Sequence, residues 1–448
     1  MRVLIIGGSD AGISAALRIR ELDRSVPIRV ALADDYPNWS ICGLPYYLGG
    51  ETPDWRSLAH RTEFEGIEVL RGHRIDSLDV AGRLATAVKA DGATLPLPYD
   101  QLVLATGAVP VRPDLPGMEL PGVHLLHTMG DALGLGKLLE SQPHPRSAVV
   151  VGAGYIGLEM AEALVHRGLR VTLVSRTDPV FPTVDPVFGQ AIEAEMHRNG
   201  VRIRAGCAVA AIKRATGTLA VCGQDDLREE GDLVLVAVGT RPETRLARKA
   251  GLELGMRDAI VTDRAMRTSV QDVFAAGDCV ETWHRVLERN TWLPLGTTAH
   301  KQGRVAGETV LGGERLFPGC VGTQVVKLFD IVAARTGLLE AEARKAGFEP
   351  LTVETAAWDH KAYYPGAHQL RIRVTGDQRS GRLLGAQILG PWRSEIAKRI
   401  DIFAVALFHG MTVDAVSDLD LSYAPPFASP WDPVQIATQA WSAAGRGA

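Results

Sequence analysis

Cys42 stands in the run Ser40-Ile41-Cys42-Gly43-Leu44-Pro45-Tyr46-Tyr47. A lone thiol can exchange sulfur or carry electrons only if the fold delivers it to a redox partner. Such delivery is expected here, because residues 2 to 20 read as a strand, a glycine-rich turn and a helix, the local unit that holds a dinucleotide. Cys42 is therefore the candidate redox centre. The residues after it read as a helix start, whose unpaired N–H groups stabilise a thiolate, so a lowered thiol pKa is expected. Cys207, Cys222, Cys279 and Cys320 show no C-x-x-C and no His/Cys pairing at metal spacing. Neither a disulfide framework nor a metal site is expected, and these four read as small buried or half-buried residues.

The elements that must position Cys42 can be read on either side of it. Val3 to Ile6 is a short apolar strand, followed by Gly7-Gly8-Ser9-Asp10-Ala11-Gly12 and the helical run from Ile13. In this Gly-x-Ser-x-x-Gly variant, Gly7 permits the tight turn, Ser9 is small enough for backbone to approach a pyrophosphate, and Gly12 allows close packing of helix on strand. A second strand, Ile28 to Ala33, ends at Asp34 and Asp35, and Asp34 is the better placed of the two to accept from a ribose. Further on, Ala148 to Val151 leads into Gly152-Ala153-Gly154-Tyr155-Ile156-Gly157, with all three glycines of the fingerprint present. The strand after it, Arg170 to Val174, stops at Ser175-Arg176 where a carboxylate would suit NAD. A guanidinium suits a 2′-phosphate, so NADPH is the expected donor, with NADH possible. Two apolar strands closed by glycine, Leu102 to Gly107 (ending Ala105-Thr106-Gly107) and Leu233 to Gly239, return the chain beneath each dinucleotide. Thr268 to Asp278 reads as a strand ending in Gly277-Asp278, whose carboxylate can meet a ribityl hydroxyl.

The bulk composition fits this picture. At 448 residues the chain exceeds one core, and about 100 to 200 residues per domain suggests two to four domains, with three as the working number. With 46% hydrophobic residues, 22% charged and a net charge of -4, nothing points to nucleic acid or an acidic membrane. Apolar runs such as Ile402 to Phe408 are far too short to span a bilayer, and Met1 to Gly7 reads as a strand, not a signal. A reducing, cytoplasmic setting is expected.

The ordered set of motifs resembles the pyridine nucleotide-disulfide oxidoreductase family over nearly the whole chain. The resemblance implies an α/β fold with two Rossmann-like dinucleotide-binding domains (glutathione-reductase-like) and a C-terminal α+β dimerisation domain. FAD would take a discontinuous domain of residues 1–112 and 243–322, NAD(P)H a domain of residues 113–242, and residues 323–448 would form the interface of a homodimer. Because Cys42 has no second cysteine near it, the chain is similar to the single-cysteine branch: coenzyme A disulfide, polysulfide and persulfide reductases, NADH oxidases and peroxidases.

Within that branch, His360-Lys361-Ala362-Tyr363-Tyr364-Pro365-Gly366 and Ser422 to Pro433 look like the segments that bring tyrosines from the partner subunit. By resemblance Tyr364, or its neighbour Tyr363, and Tyr423 would protonate a leaving thiolate in trans. Glu159 would orient the nicotinamide, and Tyr155 would cover the flavin until the nicotinamide arrives. Trp39 and Trp431 are candidates to line the pocket, and Arg18, Arg20 and Arg61 could attract a phosphate-bearing substrate. Oxidases and peroxidases of the branch resemble Gly-x-x-His at the first turn, where this chain has Asp10. A carboxylate facing the cysteine would raise its pKa, and one facing away would cap the first helix. The expected activity is NADPH-dependent reduction of a small disulfide, persulfide or polysulfide, coenzyme A disulfide first. An NAD(P)H oxidase or peroxidase using a Cys42 sulfenic acid, and an electron-transfer or redox-sensing flavoprotein acting on a protein partner, are the alternatives.

Overall fold

The computed structural model describes residues 1–224 and 226–445. Its first unit is a five-stranded parallel sheet in the order Val273–Ala275, Gln101–Leu104, Val3–Ile6, Ile28–Ala31, Ile67–Leu70. Val3, Leu4, Ile5 and Ile6 are all buried, as a central parallel strand covered on both faces requires. The Asp10–Leu22 helix crosses over between the first two strands. The Gly296–Val310 helix packs on it so closely that a Cβ at Gly303 would lie 2.2 Å from the Ala11 carbonyl oxygen.

A second parallel sheet repeats the plan in the order Arg202–Arg204, Arg170–Val174, Ser147–Val151, Leu233–Val236, Val123–His124, with the Tyr155–His166 helix after its central strand. The chain enters and leaves this unit through two short strands, Ala108–Pro110 and Thr240–Pro242, which pair antiparallel. Each unit also carries a three-stranded antiparallel sheet, over residues 74–98 and 209–231.

The third unit is a five-stranded antiparallel sheet in the order Gln324–Leu328, Ile331–Gly337, Leu383–Pro391, Gln369–Asp377, Pro350–Trp358. Its core includes Ile388, Phe403 and Val434, from the central strand and from the Ile396–Phe408 and Pro433–Gly445 helices. A buried polar knot ties it to the second unit: Asp185 accepts from Arg373 Nε at 2.8 Å and from Gln387 Nε2 at 2.7 Å. Removing one partner of such a buried pair costs about 3–5 kcal/mol, because the other is left buried without its countercharge. Among the described residues no helix is long and apolar enough to cross a membrane.

The strand expected over Thr268 to Asp278 is shorter than its sequence pattern. Thr268 Oγ1 donates to the carbonyls of Val270 and Val273, turning the chain back so that only Val273–Ala275 joins the sheet.

Candidate functional site

Both fingerprints fold for the same steric reason. Gly7 has φ +118°, and a Cβ on it would lie 2.0 Å from the Ala105 carbonyl oxygen; one on Gly12 would lie 1.9 Å from the Gly7 carbonyl oxygen. In the second unit Gly152 (φ +108°) and Gly157 meet the Ala237 and Gly152 carbonyl oxygens at 2.3 and 1.9 Å. Only glycine fits these four places. Ser9 and Gly154 stand at the N-caps, and neither helix has a side-chain cap, so the first N–H groups of both face outward without a protein acceptor of that kind. A Cβ at Gly107, Gly154 or Gly239 would meet nothing within 4 Å. Open space in front of uncapped helix starts is the cradle a pyrophosphate needs, so the residues present fit a dinucleotide at each site.

The remaining cofactor candidates lie around these cradles. Ala11 and Ile156 are the second residues of their helices, beside the turns. Asp34 follows the second strand, and its Oδ1 accepts from the Tyr36 N–H at 2.9 Å, which leaves the second oxygen for a ligand. Thr106 donates through Oγ1 to the Glu243 carbonyl, where the two connecting strands meet. Ser175 is buried and bonds Thr177, whereas Arg176 is exposed and has no hydrogen-bonding or ionic partner among the described residues. Gly277 donates to Gln302 Oε1 at 2.9 Å. Burial and the neighbouring Asp10 push the Asp278 carboxyl up to about 6.

Cys42 sits in a single 3₁₀ turn, Ile41–Gly43, ahead of the Leu44–Gly49 helix. The turn is pinned from several sides. Asn38, buried with φ 58°, donates to the Gly8 carbonyl at 2.7 Å, Ser40 donates to Leu58, and a Cβ on Gly43 would meet Leu58 Cδ2 at 2.5 Å. Trp39 stacks on Trp55 with centroids 5.1 Å apart, and Tyr36 meets both edge-on, so Trp39 belongs to an aromatic prop behind the turn. The short helix leans on the second unit: Arg167 Nε donates to the Leu48 carbonyl at 2.6 Å and Tyr46 Oη donates to Glu159 Oε1 at 3.5 Å. The thiol's position thus depends on both dinucleotide units.

The electrostatics of the thiol differ from the expectation of a lowered pKa. Its residue is exposed by surface area yet sits in a crowded cleft, and that desolvation pushes the thiol up, with the carboxylates of Asp10, Glu159 and Asp278 adding to the rise. One turn of helix cannot offset three carboxylates and partial burial. Asp10 therefore acts on the thiol electrostatically. It is also the first residue of its helix, and its Oδ1 lies 3.4 Å from His300 Nε2, whose Nδ1 is 2.8 Å from Ser14 Oγ. Asp10→Asn is expected to speed alkylation of Cys42 by iodoacetamide several-fold at pH 7–8, because losing one negative neighbour favours the thiolate. A rate that is unchanged or slower would contradict this placement of charge.

Glu159 is raised to about 7 by burial and by Glu162, against the hydrogen bond from Tyr46 and the ammonium of Lys327. Tyr155 packs edge-on against Phe181, centroids 4.9 Å apart. Tyr364 and Tyr423 lie in the third unit, 42% and 46% exposed; Tyr363 is 73% exposed, and Tyr364 is the one held, edge-on to His360. Trp431 is exposed in the same region. Arg18 is engaged by Glu308 and Glu21, and Arg20 donates to the backbone carbonyls of Asp23 and Val26. Of Arg18, Arg20 and Arg61, only Arg61 has no hydrogen-bonding or ionic partner among the described residues. Tyr46, Asn38 and His300 were missed in the sequence: Asn38 and Tyr46 flank Cys42, but their partners Gly8 and Glu159 lie far away in the chain, and nothing near His300 signals a site.

The family model described as pyridine nucleotide-disulphide oxidoreductase matches residues 1–303, and that of its dimerisation domain matches residues 323–433. The chain is 34% identical to an NAD(P)H sulfur oxidoreductase (CoA-dependent) of Pyrococcus furiosus, covering 97% of this chain and 98% of that one. An NAD-dependent persulfide reductase from A. fulgidus superposes with TM-score 0.96 at 37% identity, over 100% of this chain and 84% of that one. An engineered water-forming NADPH oxidase, made from the Lactobacillus brevis NADH oxidase, superposes at 0.95 with 26% identity, over 100% and 99%. The chain belongs to the pyridine nucleotide-disulphide oxidoreductase family and is a flavin-dependent NAD(P)H oxidoreductase.

Proposed function

We propose that the protein uses NADPH to reduce a small disulfide, persulfide or polysulfide, with coenzyme A disulfide the first choice, through Cys42 alone. The observation that carries this reading is one thiol pinned between two dinucleotide cradles with no second cysteine beside it among the described residues. Its partner sulfur must then come from the substrate. The sulfur substrates in the names of the Pyrococcus and A. fulgidus proteins support the same class.

Gly7, Ser9, Gly12 and the N–H groups of the first helix would hold the FAD pyrophosphate, with Asp34 and Asp278 on its hydroxyls; Gly152, Gly154 and Gly157 would hold that of NADPH. FAD, when bound, supplies the two-electron relay between nicotinamide and sulfur. Cys42 attacks one sulfur of RSSR as thiolate, forming Cys42–S–S–R and releasing RS⁻, which takes a proton. Tyr364 and Tyr423 of a partner subunit are the proposed donors, and a dimer is then required for turnover. Glu159, with its carboxyl near neutrality, orients the nicotinamide and can hold a proton beside Tyr46. The net change is RSSR + NADPH + H⁺ to 2 RSH + NADP⁺.

An oxidase reading draws on the likeness to the water-forming enzyme. Asp10 weighs against it, since a carboxylate disfavours an adjacent sulfenate as it does a thiolate. The test is to reduce the holoenzyme anaerobically with NADPH and offer coenzyme A disulfide, polysulfide, glutathione disulfide, peroxide and oxygen in turn. Rapid reoxidation by one of the sulfur compounds is expected. Reoxidation by oxygen or peroxide alone would overturn the proposal.

A further inference from the structure

The two tyrosine loops meet at a buried cation that none of the motifs announces. Arg399, in the first turn of the Ile396–Phe408 helix, is only 5% exposed. Its Nη2 donates to the Asp359 carbonyl at 2.6 Å and to the Phe427 carbonyl at 3.1 Å, its Nη1 to the Ser394 carbonyl at 2.9 Å, and its Nε to Asp432 Oδ2 at 3.2 Å. One guanidinium thus grips the loop that carries Tyr364 at Asp359 and the loop that carries Tyr423 at Phe427 and Asp432.

Each grip is passed on toward a tyrosine. Asp359 Oδ1 accepts from the backbone N–H groups of His360 and His368 and lies 2.9 Å from His360 Nδ1, which fixes the imidazole against which Tyr364 rests edge-on, with centroids 5.8 Å apart. The Phe427 and Ala428 N–H groups close a turn on the Ala424 carbonyl, directly after Tyr423. The loops also touch each other, Lys361 N–H donating to the Pro425 carbonyl at 3.3 Å. A buried arginine with one carboxylate is a costly way to fill a core, and an apolar residue would serve stability as well. What an apolar residue cannot do is fix two carbonyls from separate loops with one planar fork.

We propose that Arg399 is a positioning residue that holds the Tyr364 and Tyr423 loops in register, so that both hydroxyls reach the partner's sulfur chemistry together. This rests on the reading above in which the two tyrosines donate protons in trans. Lysine keeps the charge but loses the fork, so Arg399→Lys is the informative variant. In the FAD-loaded dimer it is expected to lower kcat for coenzyme A disulfide by about 10- to 100-fold, the scale of a small misplacement remote from the reacting atoms. Anaerobic flavin reduction by NADPH, which uses the other two units, should stay within about twofold. Introduced into the Tyr364→Phe/Tyr423→Phe enzyme, the same change should cost nothing further, a result that a general structural role would not give.

An Arg399→Lys loss that persists undiminished without the tyrosines would overturn the inference alone, as would a matching loss of flavin reduction. A Tyr364→Phe/Tyr423→Phe enzyme with full turnover would overturn the tyrosine reading beneath it. If Arg399→Lys fails to assemble, Asp432→Asn provides the second measurement: it preserves an acceptor for the Val434 N–H while removing the countercharge of Arg399. It should show the same pattern at smaller size, and an additive loss in the tyrosine-free enzyme would again refute the inference.

Discussion

Cys42→Ser is expected to lower turnover of coenzyme A disulfide by about 10⁴-fold or more, the usual scale for deleting a nucleophile, while anaerobic flavin reduction by NADPH stays within about threefold. Serine matches cysteine in size, so the turn held by Asn38, Ser40 and Leu58 survives, but a hydroxyl cannot form the mixed disulfide. The two dinucleotide cradles lie elsewhere in the chain, which is why the half-reactions separate. The pH profile of the native enzyme provides an independent check. Because the thiol is raised, its reactive form is a minority at neutral pH, and kcat/KM for the disulfide should climb with pH through 7 and 8. Between pH 7 and 5 the fall should be shallower than tenfold per unit. Asp278 titrates near 6 and Glu159 near 7, and as each takes a proton the thiol loses a negative neighbour and ionises more easily. Unchanged disulfide turnover in Cys42→Ser would mean an idle cysteine and would overturn the proposal.

Why some of this was legible in the chain and some was not follows from where the determining groups lie. Gly7 and Gly152 meet carbonyls that follow the adjacent parallel strands, on Ala105 and Ala237, but Gly12 and Gly157 clash with the Gly7 and Gly152 carbonyls of their own turns, so their constraint is written in a few consecutive residues. The same holds for the apolar strands Val3–Ile6 and Ser147–Val151, whose neighbours in each sheet are parallel strands reached through a helix. The state of the thiol was not legible. A helix start after Cys42 is visible in Gly43-Leu44-Pro45, but burial of the thiol, to which Asp10, Glu159 and Asp278 add from three distant stretches, reverses the expected direction. His300 reaches Ser14 across 286 residues, and Arg399 joins two loops that look independent in sequence. Local propensity carries no trace of such pairings. The tyrosine segments were picked out by resemblance, whereas the cation that binds them together emerges only from packing.

Arg176→Ala is expected to raise KM for NADPH by about 10- to 100-fold and to change KM for NADH by less than about twofold. A charge-assisted hydrogen bond to a phosphate contributes about 1.5–3 kcal/mol, and 1.4 kcal/mol is a factor of ten. Three observations place the weight on this side chain. The strand Arg170–Val174 ends without a carboxylate for the ribose, Ser175 turns inward onto Thr177, and Arg176 is exposed with its guanidinium uncommitted among the described residues. Arg202 and Arg204 on the neighbouring strand are less available, since both pair with the buried Glu229 at 3.1 and 3.2 Å. The A. fulgidus persulfide reductase is described as NAD-dependent, so overall likeness does not decide the donor, and the strand end must. In the engineered NADPH oxidase, an adjacent Asp-Ala pair became Ala-Arg among five substitutions, an exchange of the same chemical kind as Ser175-Arg176 represents. Because the site is open to solvent, the NADPH advantage should shrink as salt rises from 0.05 to 0.5 M, a range over which the screening length falls from roughly 14 to 4 Å. Measuring kcat/KM for both donors in the native and Arg176→Ala enzymes at the two salt concentrations decides the matter. Equal losses for NADPH and NADH would show that the guanidinium does not meet a 2′-phosphate, and the donor assignment would pass to NADH.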